Sequence, residues 1–158
     1  MKNSLKVGLG FGVTSGVITT LGLMVGLHSG THSTLAIIGG VLTIAIADAF
    51  SDSLGVHVSR EFENQTSKKD VWESTITTFI SKFIIALLFI FPILLFNLSL
   101  AIWVSIFMGL SLLAIFSYII AKEKKVKPLP VIFEHVGIAT VVIIISQIVG
   151  TVIRSNFI

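Results

Sequence analysis

Cysteine is absent from the 158 residues, which excludes disulfides, thiolate nucleophiles and Cys-ligated zinc. Charge is scarce as well. Asp, Glu, Lys and Arg together make up 12% of the chain, against roughly 25% in an ordinary soluble domain. So little polar surface cannot wrap the 54% of residues that are hydrophobic, and the mean hydropathy of +1.01 agrees. The chain therefore reads as an all-α integral membrane protein. Proline occurs only three times and tyrosine once, and no Pro-rich linker, low-complexity tract or internal repeat divides the chain into domains.

What the sequence does have is long uncharged stretches. The longest, Phe83 to Ala121, covers 39 residues, and as one helix it would measure roughly 58 Å at about 1.5 Å per residue. A hydrocarbon core is only about 30 Å thick, so this run crosses twice. The turn falls near Asn97 and Ser99, where polar side chains follow the interruption at Pro92. The same length criterion places further spans at about Val7 to Leu27, Leu35 to Val58 and Val131 to Ile153. Residues 1–158 then form a single transmembrane domain of five helices, with spans three and four at about 73–95 and 99–121. The first span is too long for a signal-peptide core and lacks a small-residue cleavage end, so it is expected to stay as a helix. An odd number of spans cannot split into two equal inverted halves, so a symmetric pathway requires a dimer.

The net charge of +3 is sorted by sidedness. Lys2, Lys6, Arg60, Lys68, Lys69, Lys122, Lys124, Lys125 and Lys127 all fall on one side of this arrangement, and Arg154 falls on the other. The positive-inside rule puts that basic side, and the N-terminus, in the cytoplasm, with the C-terminus outside. These basic residues mark a membrane face and not a nucleic-acid surface. Trp72, Trp103 and Tyr118 lie near span ends, where interfacial aromatics belong. Pro128 and Pro130 suit the first turn of span five, where a missing N–H costs little.

Function is then sought among polar groups inside the spans, where an ionised side chain costs several kcal/mol unless paired or hydrated. Span two reads IAIADAFSDSLGVHVSRE and sets Asp48 and Asp52 four residues apart, on one helical face. Two carboxylates this close need a divalent cation, a shared proton or a basic partner. Ser51 and Ser53 flank them, so an all-oxygen site would suit Mg²⁺, Mn²⁺, Ca²⁺ or Fe²⁺. Lys82, inside span three, is the candidate partner. It either locks the two helices together structurally, satisfying one carboxylate but not both, or acts as a gate that releases the carboxylates when a cation arrives. Span one carries Gly8, Gly12 and Gly16 at four-residue intervals, a helix-packing ridge, with Ser15, Thr19 and Thr20 as a polar stripe that could face the carboxylates. Gly55 of span two admits a close backbone. Glu134 and His135 open span five and could collect metal or pass protons, or simply sit at the interface. His57 could serve as a ligand on the cytoplasmic approach or as an interfacial polar residue. His28 and His32 are expected in a non-helical outer loop, because Gly30 stands between them.

The segments FGVTSGVITTLGLMVGL and IADAFSDSLGVHVSREFE resemble the first two helices of the vacuolar iron transporter family, which includes vacuolar iron and manganese carriers and nodulin-like proteins. Gly16, Thr19, Thr20 and Gly26 match the family's first-helix pattern. Ala47, Asp48, Ser51, Gly55 and Ser59 match its second. The resemblance covers about residues 8 to 60, and beyond that extends to span count, Pro92 and the Gly137 to Gly150 region. It implies a five-helix homodimer with a metal path at or near the dimer interface, moving Fe²⁺ or Mn²⁺ out of the cytosol in exchange for protons. Three departures stand out. Ser15 replaces the family's first-helix aspartate, and Asp52 replaces its second-helix methionine. The long cytosolic metal-binding insertion is reduced to the loop Ser59 to Trp72, where Glu61, Glu63 and Asp70 remain as acidic candidates.

The resulting expectation is a proton-coupled Mn²⁺/Fe²⁺ exporter whose metal candidates are Asp48, Asp52, Ser51, Ser15, Glu61 and Glu134. Loss of the thioether at Asp52 tilts it towards Mn²⁺. No cofactor is called for beyond the transported metal, and no Ser/His/Asp order suggests an enzyme. The membrane would be the plasma membrane in a prokaryote, and an organelle membrane fits as well. The competing expectation is a non-transporting membrane assembly protein whose charges are interhelical locks.

Overall fold

The computed structural model describes residues 2–63 and 66–157. Six helices account for nearly all of them: α1 (Asn3–Thr31), α2 (Thr34–Glu61), α3 (Lys68–Leu88), α4 (Ile90–Leu95), α5 (Leu98–Glu123) and α6 (Pro128–Phe157). With α3 and α4 counted as one crossing, five helices are long and apolar enough to cross a membrane. This is the architecture of a multi-pass membrane protein.

Local chemistry explains where the helices start and break. Ser33, Ser67 and Asn97 cap α2, α3 and α5, their side chains accepting from the backbone N–H of Ala36, Asp70 and Leu100 at 3.2, 3.2 and 3.1 Å. Each cap satisfies one of the N–H groups that a first helical turn leaves unpaired. The Asn97 cap is the reversal expected in the 39-residue apolar run. Pro92 acts earlier: it has no N–H for the carbonyl of Leu88, so the helix breaks at Phe89 before α4 completes the crossing. Pro128 begins α6, where its missing N–H is harmless.

Packing is organised around α1, which contacts α2, α3, α5 and α6. Two glycine ridges allow this. A Cβ on Gly8 would lie 2.6 Å from the Ser74 carbonyl oxygen, one on Gly12 would run into the Ser81 hydroxyl, and one on Gly16 would lie 3.1 Å from the Ile85 side chain. Those three glycines seat α3. Further along, Gly22 and Gly26 face Val142 and Ser146 of α6, and Gly30 faces Gly150. Backbones that approach this closely gain van der Waals contact, which is what holds helices together where lipid removes the hydrophobic drive. Gly55 does not share this role, because among the described residues no other element lies within 4 Å of where its Cβ would be.

The Gly30–Gly150 contact also corrects the expectation of an outer loop at His28, while His32 does lie in the turn. The helix continues through Gly30 to Thr31, and the chain turns only at His32, whose φ is 51°. Gly30 serves a helix crossing here and not a turn. The two histidine rings stack with centroids 5.0 Å apart, and His32 contacts Arg154 of α6 at 3.0 Å.

The opposite end of the bundle gathers the basic residues. Lys2 pairs with Glu73 at 2.9 Å, Lys6 with Glu123, and Arg60 with Glu63. The first two bonds tie the start of α1 to the start of α3 and to the end of α5, and the third folds the residues after α2 back on its last turn. The hydrogen bond to Glu73 holds the Lys2 ammonium above the ordinary lysine value. Val17, Leu21, Met24, Ile37, Val41, Phe89 and Leu113 form the centre of the core. Most other large apolar side chains point outward. In α6 only Ala139 and Gly150 are buried, as suits a helix facing lipid along most of its length.

Candidate functional site

The centre of the bundle holds one charged cluster built from three helices. Lys82 of α3 is 1% exposed, so its ammonium must find its partners within the protein. It pairs with Asp48 Oδ2 at 2.5 Å and with Asp52 Oδ2, both on α2. It also donates to Ser15 Oγ of α1 at 2.9 Å, and Ser15 Oγ donates to Asp52 Oδ2 at 2.6 Å. One lysine therefore contacts both carboxylates while balancing the charge of only one. The cluster carries a formal charge of −1, from two carboxylates and one ammonium.

Its position follows from the ridges already described. Gly12 and Gly16 bring α1 against α3 on either side of Ser15, and a Cβ on Gly16 would lie 3.4 Å from the Cα of Lys82. On α2, Ala45, Ala49 and Ser53 are buried, and Asp48 and Asp52 stand on the flank of that strip. Their side chains are 31% and 21% exposed, against 2% for that of Lys82. The carboxylates thus face the lysine on one side and open space on the other. A cation could approach from the open side, with Lys82 behind.

The expected metal candidates separate. Asp48, Asp52 and Ser15 come together with Lys82. Ser51 is exposed and makes no hydrogen bond to the cluster among the described residues. Glu61 lies 3.4 Å from His57 Nε2 and not near the aspartates. Glu134 is exposed on α6, which packs on α1 and α5, while its neighbour His135 bonds to Ser117 at 2.8 Å. The polar stripe of α1 also divides: Ser15 reaches the cluster, Thr19 bonds back to the Ser15 carbonyl, and Thr20 Oγ1 is buried without a partner among the described residues. Helical spacing explains this, since about 100° per residue turns Thr20 well away from Ser15. Among the described residues, no group of three or more His, Asp or Glu side chains forms a metal cage. The chain by itself therefore brings together two carboxylates and a hydroxyl here, an incomplete donor set.

One feature beside the site was legible in the sequence but not singled out there. Gly39, Thr43, Ala47, Ser51, Gly55 and Ser59 recur at every fourth position of α2, and all six are exposed. The Thr43 hydroxyl is tied to the Gly39 carbonyl at 2.7 Å, and nothing lies within 4 Å of the Cβ positions of Gly39 and Gly55. The outcome is a smooth small-residue ridge that none of the described residues covers, running past Asp48 and Asp52. Comparison with known proteins finds no protein-family model that matches the chain and no curated protein similar to it.

Proposed function

We propose that the protein is a proton-coupled transporter of divalent metal, Mn²⁺ or Fe²⁺, moving the ion out of the cytosol through a homodimer. The observation that carries this reading is the half-open pair Asp48 and Asp52, backed by a buried Lys82. A resting site of two carboxylates and one ammonium carries a single net negative charge, less costly at membrane depth than two unpaired carboxylates. A divalent ion arriving from the open side competes with the ammonium, which must withdraw or give up its proton. Metal and proton then exclude one another, the requirement for exchange. Access alternates as the helices rearrange around the fixed site.

Homodimerisation is supported by the uncovered ridge of α2. A two-fold contact along Gly39, Thr43, Ala47, Ser51, Gly55 and Ser59 would let two α2 helices approach closely. It would also bring a second pair of carboxylates towards the first and complete a donor set that is short in one protomer. The basic end of the bundle faces the cytoplasm in this reading. The resemblance to the vacuolar iron transporters agrees, with Asp52 in place of the thioether favouring Mn²⁺.

A second reading has the same lysine in its favour. Lys82, both aspartates and Ser15 form a closed polar set that could simply lock α1, α2 and α3 in an assembly protein that transports nothing. Uptake by proteoliposomes separates the two. Mn²⁺ or Fe²⁺ should enter under an imposed pH gradient, and Asp48→Ala and Asp52→Ala should each abolish entry. Uptake that persists unchanged in both variants would remove the aspartates from the path.

A further inference from the structure

A second group of side chains lies on the other flank of α2, towards the α2–α3 loop. His57 follows Asp52 by five residues, a rotation of about 140° around the helix, so it cannot extend the aspartate site. It points at Thr75 and Trp72, nearer the start of α3 than Lys82. His57 Nδ1 is 2.9 Å from Thr75 Oγ1, and the ring packs edge-on against Trp72 with centroids 4.8 Å apart. The Thr75 hydroxyl donates its own proton to the Val71 carbonyl at 2.8 Å. With that proton on Val71, Thr75 is placed to accept from Nδ1, the tautomer in which Nε2 offers a lone pair. That leaves the lone pair of Nε2 directed at Glu61 Oε1, 3.4 Å away.

This separation is informative. Charge-assisted N–H···O bonds close to about 2.7–2.9 Å, and this pair stands well outside that range. Two ligand atoms held about 2.0–2.1 Å from one tetrahedral metal ion lie about 3.4 Å apart. A metal-bound histidine also characteristically donates its remaining ring N–H to an oxygen, which fixes the ring and its tautomer. Thr75 supplies that oxygen. Glu61, the last residue of α2, is exposed and free to adjust. The pair opens into a cavity of about 450 Å³ lined by Thr66, Lys68, Val71 and Trp72, room for water to complete the coordination.

We propose that His57 Nε2 and the Glu61 carboxylate form a separate binding site for a divalent transition metal, of the class that accepts imidazole nitrogen, such as Zn²⁺, Co²⁺ or Fe²⁺. Two protein ligands make it a weak, exchangeable site, and the exposed Lys68 weakens it further. It does not depend on metal transport at Asp48 and Asp52.

Trp72 provides the test, since metal on His57 would sit beside its ring. In the Trp103→Phe background, Trp72 is the only tryptophan of the full chain. Co²⁺ titrated into the detergent-solubilised protein should quench its fluorescence saturably, and Zn²⁺ should compete. His57→Ala should abolish the saturable phase. Glu61→Gln, at an exposed position, should weaken it at least several-fold, and Thr75→Val by about 10–100-fold. Asp48→Asn and Asp52→Asn combined with Lys82→Met, which leaves no buried charge unpaired, should leave it unchanged. Linear, unsaturating quenching, or quenching unaltered by His57→Ala and Glu61→Gln, overturns the site. Loss of quenching only in the aspartate variant also overturns it and places the metal at Asp48 and Asp52, so the two readings fail separately.

Discussion

Lys82 reaches from α3 to Asp48 of α2 at 2.5 Å while only 1% of its surface is exposed. A buried ammonium in that position is tolerated because Asp52 and Ser15 complete its shell. The balance is sensitive to the loss of any one member, because breaking a buried ion pair leaves an uncompensated charge.

Lys82→Met should therefore destabilise the protein by about 3–5 kcal/mol, measured by SDS-induced unfolding in mixed micelles. Adding Asp48→Asn and Asp52→Asn to it should recover most of that loss, since the triple variant holds no unpaired charge. A triple variant no more stable than Lys82→Met alone would show that the cost lies in packing and not in charge.

The glycine ridge of α1 makes a paired prediction. Gly12→Val drives a side chain into Ser81 and the Thr78 carbonyl of α3, overpacking of a kind that costs about 1–3 kcal/mol. It also pushes Ser15 off Asp52, so stability and uptake should both fall. Gly10→Val, with nothing within 4 Å of its Cβ, should leave both unchanged. Equal behaviour of the two variants in thermal unfolding and uptake would contradict the α1–α3 seam.

Dimerisation along α2 can be read directly, because the chain has no cysteine. Thr43→Cys places a single thiol on the exposed ridge, and mild oxidation in membranes should yield a band at twice the monomer mass. A bulky Gly55→Leu change should remove that band without altering monomer unfolding. Crosslinking that is undiminished in the Gly55→Leu background would argue against this ridge.

Metal choice should depend on Asp52. With two carboxylates and no thioether, the wild type should prefer Mn²⁺ over soft ions, and Cd²⁺ should compete poorly for uptake. Asp52→Met introduces a soft ligand and should move competition towards Cd²⁺. Stronger inhibition by Cd²⁺ in the wild type than in Asp52→Met would reverse the assignment.

Much of the architecture was legible without coordinates, for simple reasons. Thirty-ångström crossings and the scarcity of charge require five apolar helices. Asn97 and Pro128 mark helix starts by chemistry that acts within a few residues. The candidate site was legible in part, since Asp48, Asp52 and Lys82 are conspicuous as charges in apolar spans. Local reasoning failed at Gly30, which looks like a turn residue and is held in the helix by a partner 120 positions away at Gly150.

The sequence alone determined that the chain is an apolar five-helix bundle and which few charges lie within it, because bilayer thickness and desolvation act on any sequence regardless of its neighbours. Only the tertiary structure decided the pairing. It gave Lys82 both carboxylates, turned Thr20 away from them, left the α2 ridge uncovered and placed His57 beside Thr75 on the opposite flank. Those outcomes depend on how α1 rotates against α3 and α2, and rotation is set by close contact between glycine ridges and the side chains they admit, which spacing along one helix does not specify.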